Sequence, residues 1–373
     1  MRRILLPLIL MTMLAGCEGG GSGGGDAYKL GLTEVGYADM PGWGADRHAR
    51  AFAIFAETCG VNARRGNNYT TKTGVHYADA NAWRNACNAA AHLQGPTDEE
   101  ARQYFESHFT PYRAVTSASQ TGLTTGYYEP LLHGSRTQSP RYNVPVYGVP
   151  YNFRKPTFSR ASIEGGALKG KAPVLLYVDD PVMLFFLHIQ GSGKVRMDDG
   201  SMMGLQYAQQ NGHAYVPIGR VLKERGYLET VSMQTIRDWL RANPSQAASI
   251  MNENPSYIFF KLIPGDAYAK GALGVSLTPG RSIAVDDDRV PYGSLVFMAT
   301  KITNPGELFR ESYRRLMVAQ DTGGAIIGPI RYDIFFGRGQ RAEWRAGHQN
   351  TPAKIYWLLP KGTTAALDPA HWF

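Results

Sequence analysis

The chain has 373 residues and a formal net charge of +8, with 43% apolar and 11% aromatic residues. That composition excludes a disordered or fibrous polymer and suffices for two packed domains at about 100–200 residues each. The 39 Lys and Arg residues against 31 Asp and Glu are spread along the chain rather than clustered, which fits a basic soluble surface and is compatible with an anionic polymer as partner.

In chain order, Arg2 and Arg3 precede the apolar run ILLPLILMTML, too short to span a bilayer and laid out as a secretory signal. The run ends in Leu14-Ala15-Gly16-Cys17, which resembles the lipobox of bacterial lipoproteins. A signal at 1–16 is expected to be cut before Cys17, and Cys17 to carry lipid. More than one acyl chain gives lasting attachment, because each buried methylene adds about 0.8 kcal/mol. Export past the inner membrane argues against nucleic acid as a partner. Residues 17–27 are Gly-rich and read as a tether with no side chains to build a core. In an exported chain the remaining cysteines, Cys59 and Cys87, are expected to form a disulfide. No HExxH pair or paired CxxC supports a metal, so neither metal nor cofactor is expected.

Residues 44–109 read helical. Ala51, Phe52 and Phe55 suit one helix face, DANAWRNACNAAAHL continues in alanine-rich helix, and Thr97 with Glu100 forms a capping box ahead of EEARQYFESHF. From 121 the character changes to short β-prone runs broken by Gly and Pro: TGLTTGYYEPLL, NVPVYGVPYN and APVLLYV. A helix is predicted from Asp180-Pro181 to a stop at Gly191, and others around Ile218–Glu224 and from Ser232 to Asn252, the last interrupted at Pro244. Strands then return in ALGVSL, RSIAVD, GSLVFMATKI, RRLMVAQD, YDIFFG and AKIYWLLPK, with one short helix around 342–346. The fold class is mainly β with added helices.

Several motifs compete for a function. Asp321-Thr322-Gly323 matches the aspartic-protease tripeptide, but that chemistry needs two carboxylates and the chain has no second copy. Residues 165–171, GGALKGK, nearly fit a phosphate loop, yet Ala172 stands where a metal-ligating hydroxyl belongs. Gln190-Gly191-Ser192-Gly193 is a helix stop and equally suits a polar polymer groove. Adjacent Tyr127 and Tyr128 point to opposite strand faces, so one can be core while the other lines a sugar site. Asp286 and Asp321 end β-runs, and Asp333 sits between Tyr332 and Ile334, where an ionised carboxylate needs partners or keeps its proton. On these residues alone, a shared cleft and ordinary turn chemistry remain equal readings.

IAVDDDRVPYGSLVF followed by VAQDTGGAIIGPIRYDIFFG resembles the three-aspartate (3D) domain, its aspartates matching Asp286, Asp321 and Asp333. TTGYYEP, VDDPVMLFFLHIQGSG, NGHAYVPIGRVLKERG and NPSYIFFK are similar to the membrane-bound lytic murein transglycosylase A family, and together these segments cover most of 121–340. The resemblance implies a double-psi β-barrel from 28–125 plus 268–373, a smaller β-rich domain inserted at 126–267, and a substrate groove between them. It implies Asp333 as the single catalytic acid and base, supported by Asp321. Substrate contacts map onto Thr125, Gly126, Tyr127, Tyr128, Gln190, Tyr207 and Lys261, with Ser192 and Asp286 from the same segments.

The implied reaction cleaves the β-1,4 bond between N-acetylmuramic acid and N-acetylglucosamine in peptidoglycan and leaves a 1,6-anhydromuramyl end, a lyase chemistry. Asp333 is expected to hold its proton in a partly apolar cleft. The implied setting is the outer membrane, lipid-anchored and facing the periplasm, with peptidoglycan glycan strands as partner and cell-wall synthesis complexes as a further one. A hydrolase using water and a noncatalytic wall-binding lipoprotein stay open as alternatives.

Overall fold

A computed structural model describes residues 29–66, 69–307 and 309–363. The proposed signal, Cys17 and the tether lie outside these residues. Among the described residues no helix is long and apolar enough to cross a membrane.

The chain enters through strand β1 (Leu30–Glu34) and three helices, α1 (His48–Arg65), α2 (Ala80–His92) and α3 (Asp98–His108), and then runs straight into β2 (Phe109–Thr116). Local chemistry sets the helix ends. The Asp79 carboxylate accepts the Asn81 and Ala82 N–H groups at the start of α2, and Thr97 and Glu100 cap α3 reciprocally. Gly66 closes α1 in the left-handed conformation. Phe52 and Phe55 of α1 pack on Tyr104 and Phe105 of α3, and burying each ring stabilises the fold by roughly 1.5–3 kcal/mol. Cys59 and Cys87 join α1 to α2 through a disulfide with Cα atoms 5.5 Å apart. Strand β1 precedes and β2 follows the stretch 44–109 read as helical, and neither strand was expected.

Strand β3 (Gly122–Glu129) leads to β4 (Leu131–Ser135), β5 (Val144–Tyr147), a single turn α4 (Arg160–Ser162) and β6 (Val174–Val178). Helix α5 (Pro181–Gln190) follows, then β7 (Ser192–Met197), β8 (Met202–Gln210), α6 (Ile218–Glu224), α7 (Met233–Ala242), α8 (Pro244–Asn252) and β9 (Ile258–Pro264). The last segment comprises β10 (Ser282–Val285), β11 (Leu295–Ile302), β12 (Glu311–Thr322), β13 (Arg331–Arg338), α9 (Gln340–His348) and β14 (Asn350–Pro360). Pro244 ends one helix and begins the next, because its ring cannot accept the preceding helical geometry.

Two sheets result. The larger runs β1-β2-β14-β11-β12-β10-β13-β3, and β14 also pairs with β3, closing six strands into the double-psi barrel. Two of its pairings, β10 with β12 and β13 with β3, are parallel, and the rest are antiparallel. Its interior is filled by fully buried apolar side chains such as Ile283, Val296, Met317, Tyr332, Ile334 and Ile355. The smaller sheet, β5-β6-β4-β7-β8-β9, is built wholly from the segment between β3 and β10. Because β3 stays in the barrel sheet to Glu129, the chain crosses over at Pro130, beyond the boundary expected after residue 125.

The segment ALGVSL, expected as a strand, is a loop carrying one isolated bridge between Lys270 and Ser276. Its apolar residues are buried all the same: Leu273 and Val275 pack on Val61. Gly274 takes a positive φ of 85°, which lets the chain reverse and turns its N–H groups toward the end of β12 rather than toward a sheet neighbour. The N-terminal region is tied to the barrel by a buried ion pair, in which Arg281 reaches both oxygens of Asp46 at 2.7 Å and also donates to the Leu316 and Arg47 carbonyls.

Candidate active site

Strand register assembles the site. Asp321 on β12 and Asp333 on β13 both lie opposite Ala284 on β10, and Asp333 lies opposite Thr125 on β3. The two aspartates are therefore two strand spacings apart, about 10 Å between Cα atoms, with a methyl group between them. Side chains alternate along a strand. Tyr332 and Ile334 turn into the barrel and are fully buried there, whereas Asp333 turns the other way.

The surroundings of Asp333 differ from the expected apolar cleft. The Thr125 hydroxyl donates to Oδ1, and the Arg331 guanidinium donates to the same oxygen at 2.7 Å. Arg331 also donates to Thr125 Oγ1 at 2.6 Å. The carboxyl thus sits in an ion pair, and its apolar sequence neighbours are on the other side of the sheet. Arg331 escaped the sequence reading, although a residue two positions before Asp333 on a strand must share its face.

Asp321 is the sequestered carboxyl. Its Oδ1 accepts the Ala272 and Thr322 N–H groups at 3.0 Å each, and its Oδ2 accepts the Tyr127 hydroxyl at 3.0 Å. Burial lifts this carboxyl to about 6, the nearby Asp333 charge adds to the rise, and the three donors pull against it. Tyr127 is itself held well above its ordinary value, first by burial and then by the charge of Asp321. Tyr127 belongs to a small apolar cluster with Ala284, Leu277, Ile326 and Phe335 that covers this part of the row. Ala272 comes from the loop misread as a strand, so that loop is what completes the Asp321 shell.

Other expected site residues have different duties. Tyr127 and Tyr128 are both buried, so neither presents an open ring; Tyr128 joins the barrel core cluster. Gly126 makes room for packing rather than for a ligand, since a Cβ there would lie 2.4 Å from Phe336. Asp286 accepts the Gly328 N–H at 2.6 Å and the Asp288 N–H at 3.2 Å, and so fixes the loop between β12 and β13. Gln190, at the end of α5, accepts the Tyr128 N–H at 3.0 Å and ties the smaller sheet's helix to β3.

Ser192, Tyr207 and Lys261 lie on the smaller sheet. Ser192 and Lys261 both lie opposite Gln206, and Tyr207 lies opposite Phe260. Ser192 is buried, whereas Tyr207 is 43% exposed and Lys261 is exposed. The structure therefore brings Asp321, Asp333, Thr125 and Tyr127 together, while on the smaller sheet Lys261 shares a face with Gln206 and Ser192 and Tyr207 lies on the other face.

The angle between the sheets is set at the two crossings. Glu129, 1% exposed, accepts the Ala269 N–H at 2.7 Å and pairs with Arg338 at 3.0 Å. Burial raises the Glu129 carboxyl above its ordinary value and lowers the neighbouring Lys194. Lys194 donates to the carbonyls of Gly265 and Ala267, and Arg338 stacks over Tyr268 at 4.2 Å. A cavity of about 850 Å³ beside α5, α7 and α8 contains none of the expected site residues. Its charged rim is largely paired internally, Arg241 with Asp180 and Arg237 with Glu343.

Comparison with known proteins places these features among relatives. The MltA specific insert domain family matches residues 123–261, and the 3D domain family matches residues 281–359. Membrane-bound lytic murein transglycosylase A of Vibrio cholerae is 35% identical over 256 residues, covering 64% of this chain and 68% of that protein. The crystal structure of a membrane-bound lytic murein transglycosylase from Agrobacterium tumefaciens superposes with a TM-score of 0.79 at 32% identity, over 89% of this chain and 98% of that one. The crystal structure of Escherichia coli MltA with bound chitohexaose superposes with a TM-score of 0.68 at 29% identity, over 90% and 95% of the two chains.

Proposed function

The chain belongs to the membrane-bound lytic murein transglycosylase A family and is a peptidoglycan lytic transglycosylase; from that premise we propose that it cuts glycan strands with Asp333 alone, as acid and then base. The bond broken is the β-1,4 link between N-acetylmuramic acid and N-acetylglucosamine, and the product is a 1,6-anhydromuramyl end. The observation that carries this reading is the asymmetry of the two carboxyls. Asp333 keeps one oxygen without a hydrogen-bond partner among the described residues, whereas both oxygens of Asp321 are taken by three donors. A two-carboxylate glycosidase needs its second carboxylate free to act as nucleophile or as base toward water.

In this scheme a protonated Asp333 gives its proton to the glycosidic oxygen as the bond to C1 breaks. Positive charge grows on the muramyl ring. The ionised Asp333 then takes the proton of the C6 hydroxyl as that oxygen closes onto C1, so the carboxyl is regenerated and no water is consumed. Asp321, ionised above about pH 6, adds a negative field two strands away that favours the charged ring.

The glycan is proposed to lie between the aspartate row and the smaller sheet. Chitohexaose bound by the E. coli relative supports a β-1,4 glycan as the ligand class. The basic balance of +8 suits an anionic wall polymer. Attachment to the outer membrane through lipid on Cys17, facing the periplasm, is proposed from the lipobox-like tetrapeptide and from relatives named membrane-bound.

The test is Asp333→Asn on purified sacculi. Loss of at least about a thousandfold in released product with the urea midpoint kept supports the assignment. Full activity in that variant would refute it.

A further inference from the structure

We propose that Arg331 is a positioning residue that, with Thr125, clamps one oxygen of Asp333 so that only the other exchanges protons with the glycan. The inference rests on Asp333 being the acid and base. Both donors converge on Oδ1: the Arg331 guanidinium at 2.7 Å and the Thr125 hydroxyl. Arg331 Nη1 also contacts Thr125 Oγ1 at 2.6 Å and the Tyr332 carbonyl at 3.1 Å, so the cation is itself held in place. Among the described residues no donor reaches Oδ2.

This arrangement has a chemical consequence. With Oδ1 held by two donors, Oδ2 must give the proton to one sugar oxygen and later take one from another, without rotating between the steps. Two donors on Oδ1, Thr125 Oγ1 and Arg331 Nη1, oppose that rotation. The cation also stabilises the carboxylate formed when the proton leaves for the glycosidic oxygen. Side chains of β13 two residues apart share a face, so the strand itself delivers Arg331 to Asp333.

Charged and titratable groups around Asp333 come from the surrounding strands. They are Tyr127 on β3, Asp321 on β12 and Arg331 on β13 itself. Tyr127 and Asp321 are common to the wild type and an Arg331 variant, so a difference between the two profiles isolates the guanidinium.

The experiment uses the full-length protein and sacculi, with kcat and KM measured from pH 4 to 8 for wild type, Arg331→Gln, Arg331→Lys and Asp333→Asn. Arg331→Gln is expected to lower kcat at least tenfold with KM within twofold. Arg331→Lys, which keeps a cation beside Asp333, should recover kcat to within about threefold of wild type. If Arg331→Gln does not fold, Thr125→Val reads the same clamp and should lower kcat at least threefold at unchanged KM. Wild-type kcat in Arg331→Gln, or wild-type kcat in Thr125→Val, overturns the inference while Asp333→Asn stays inactive. Full activity in Asp333→Asn would instead remove the acid assignment on which it rests.

Discussion

Replacing Asp321 with asparagine should change how stability depends on pH, and the size follows from the site. The carboxyl rises from 3.8 to about 6 on folding, chiefly through burial. A carboxyl raised in the folded state contributes stability that is fully present below its unfolded value near 4. That contribution is lost as pH climbs through about 6. A rise of about two pH units corresponds to about 3 kcal/mol, an upper bound because a half-buried carboxylate recovers part of its solvation. The substituted amide cannot ionise. Its carbonyl oxygen can still accept from Ala272 and Thr322, while its NH₂ group can donate to the Tyr127 hydroxyl. Urea unfolding of both proteins at pH 4, 5, 6 and 7, followed by tryptophan fluorescence, gives the difference in stability at each pH. Asp321→Asn should gain on the wild type by up to about 3 kcal/mol between pH 4 and 7. A difference that stays constant over that range would refute the reasoning about Asp321 burial.

Two further outcomes follow from the fold. Asp46→Ala leaves Arg281, 2% exposed, without its bidentate partner, and should cost about 3–5 kcal/mol, read as a lower urea midpoint. Removing the Cys59–Cys87 cross-link, which spans 28 residues, should cost about 3–4 kcal/mol, measured as the midpoint difference between Cys59→Ser/Cys87→Ser and the wild type.

Features governed by short-range chemistry were legible in the sequence. Asp180 accepts the Val182 and Met183 N–H groups, Pro181 follows it, and Gly191 ends the helix with a φ of 76°, all within one contiguous segment. The expected ALGVSL strand failed because its apolar residues satisfy burial as a loop: Leu273, Val275 and Leu277 are all buried without a ladder. Strand β7 passed unnoticed because Gly191 and Gly193 dominate the local signal at its start.

The aspartates themselves were legible as a motif, but their environments were not. Tyr332 and Ile334 suggested a greasy pocket around Asp333, and strand alternation sends both into the barrel. What surrounds Asp333 is Arg331, two positions away, and Thr125, brought from 208 residues earlier by a parallel pairing. The raised carboxyl is Asp321, whose contact with Tyr127 bridges 194 residues. Such partnerships depend on register between distant strands, which periodicity along one segment does not encode.

Single-carboxyl cleavage with internal ring closure is tested most directly by digesting sacculi in ¹⁸O-enriched water and weighing the released muropeptides. The account predicts muramyl ends that incorporate no heavy oxygen and are lighter by one water than a reducing end. Products carrying one ¹⁸O at C1 would contradict it and assign Asp333 to hydrolysis.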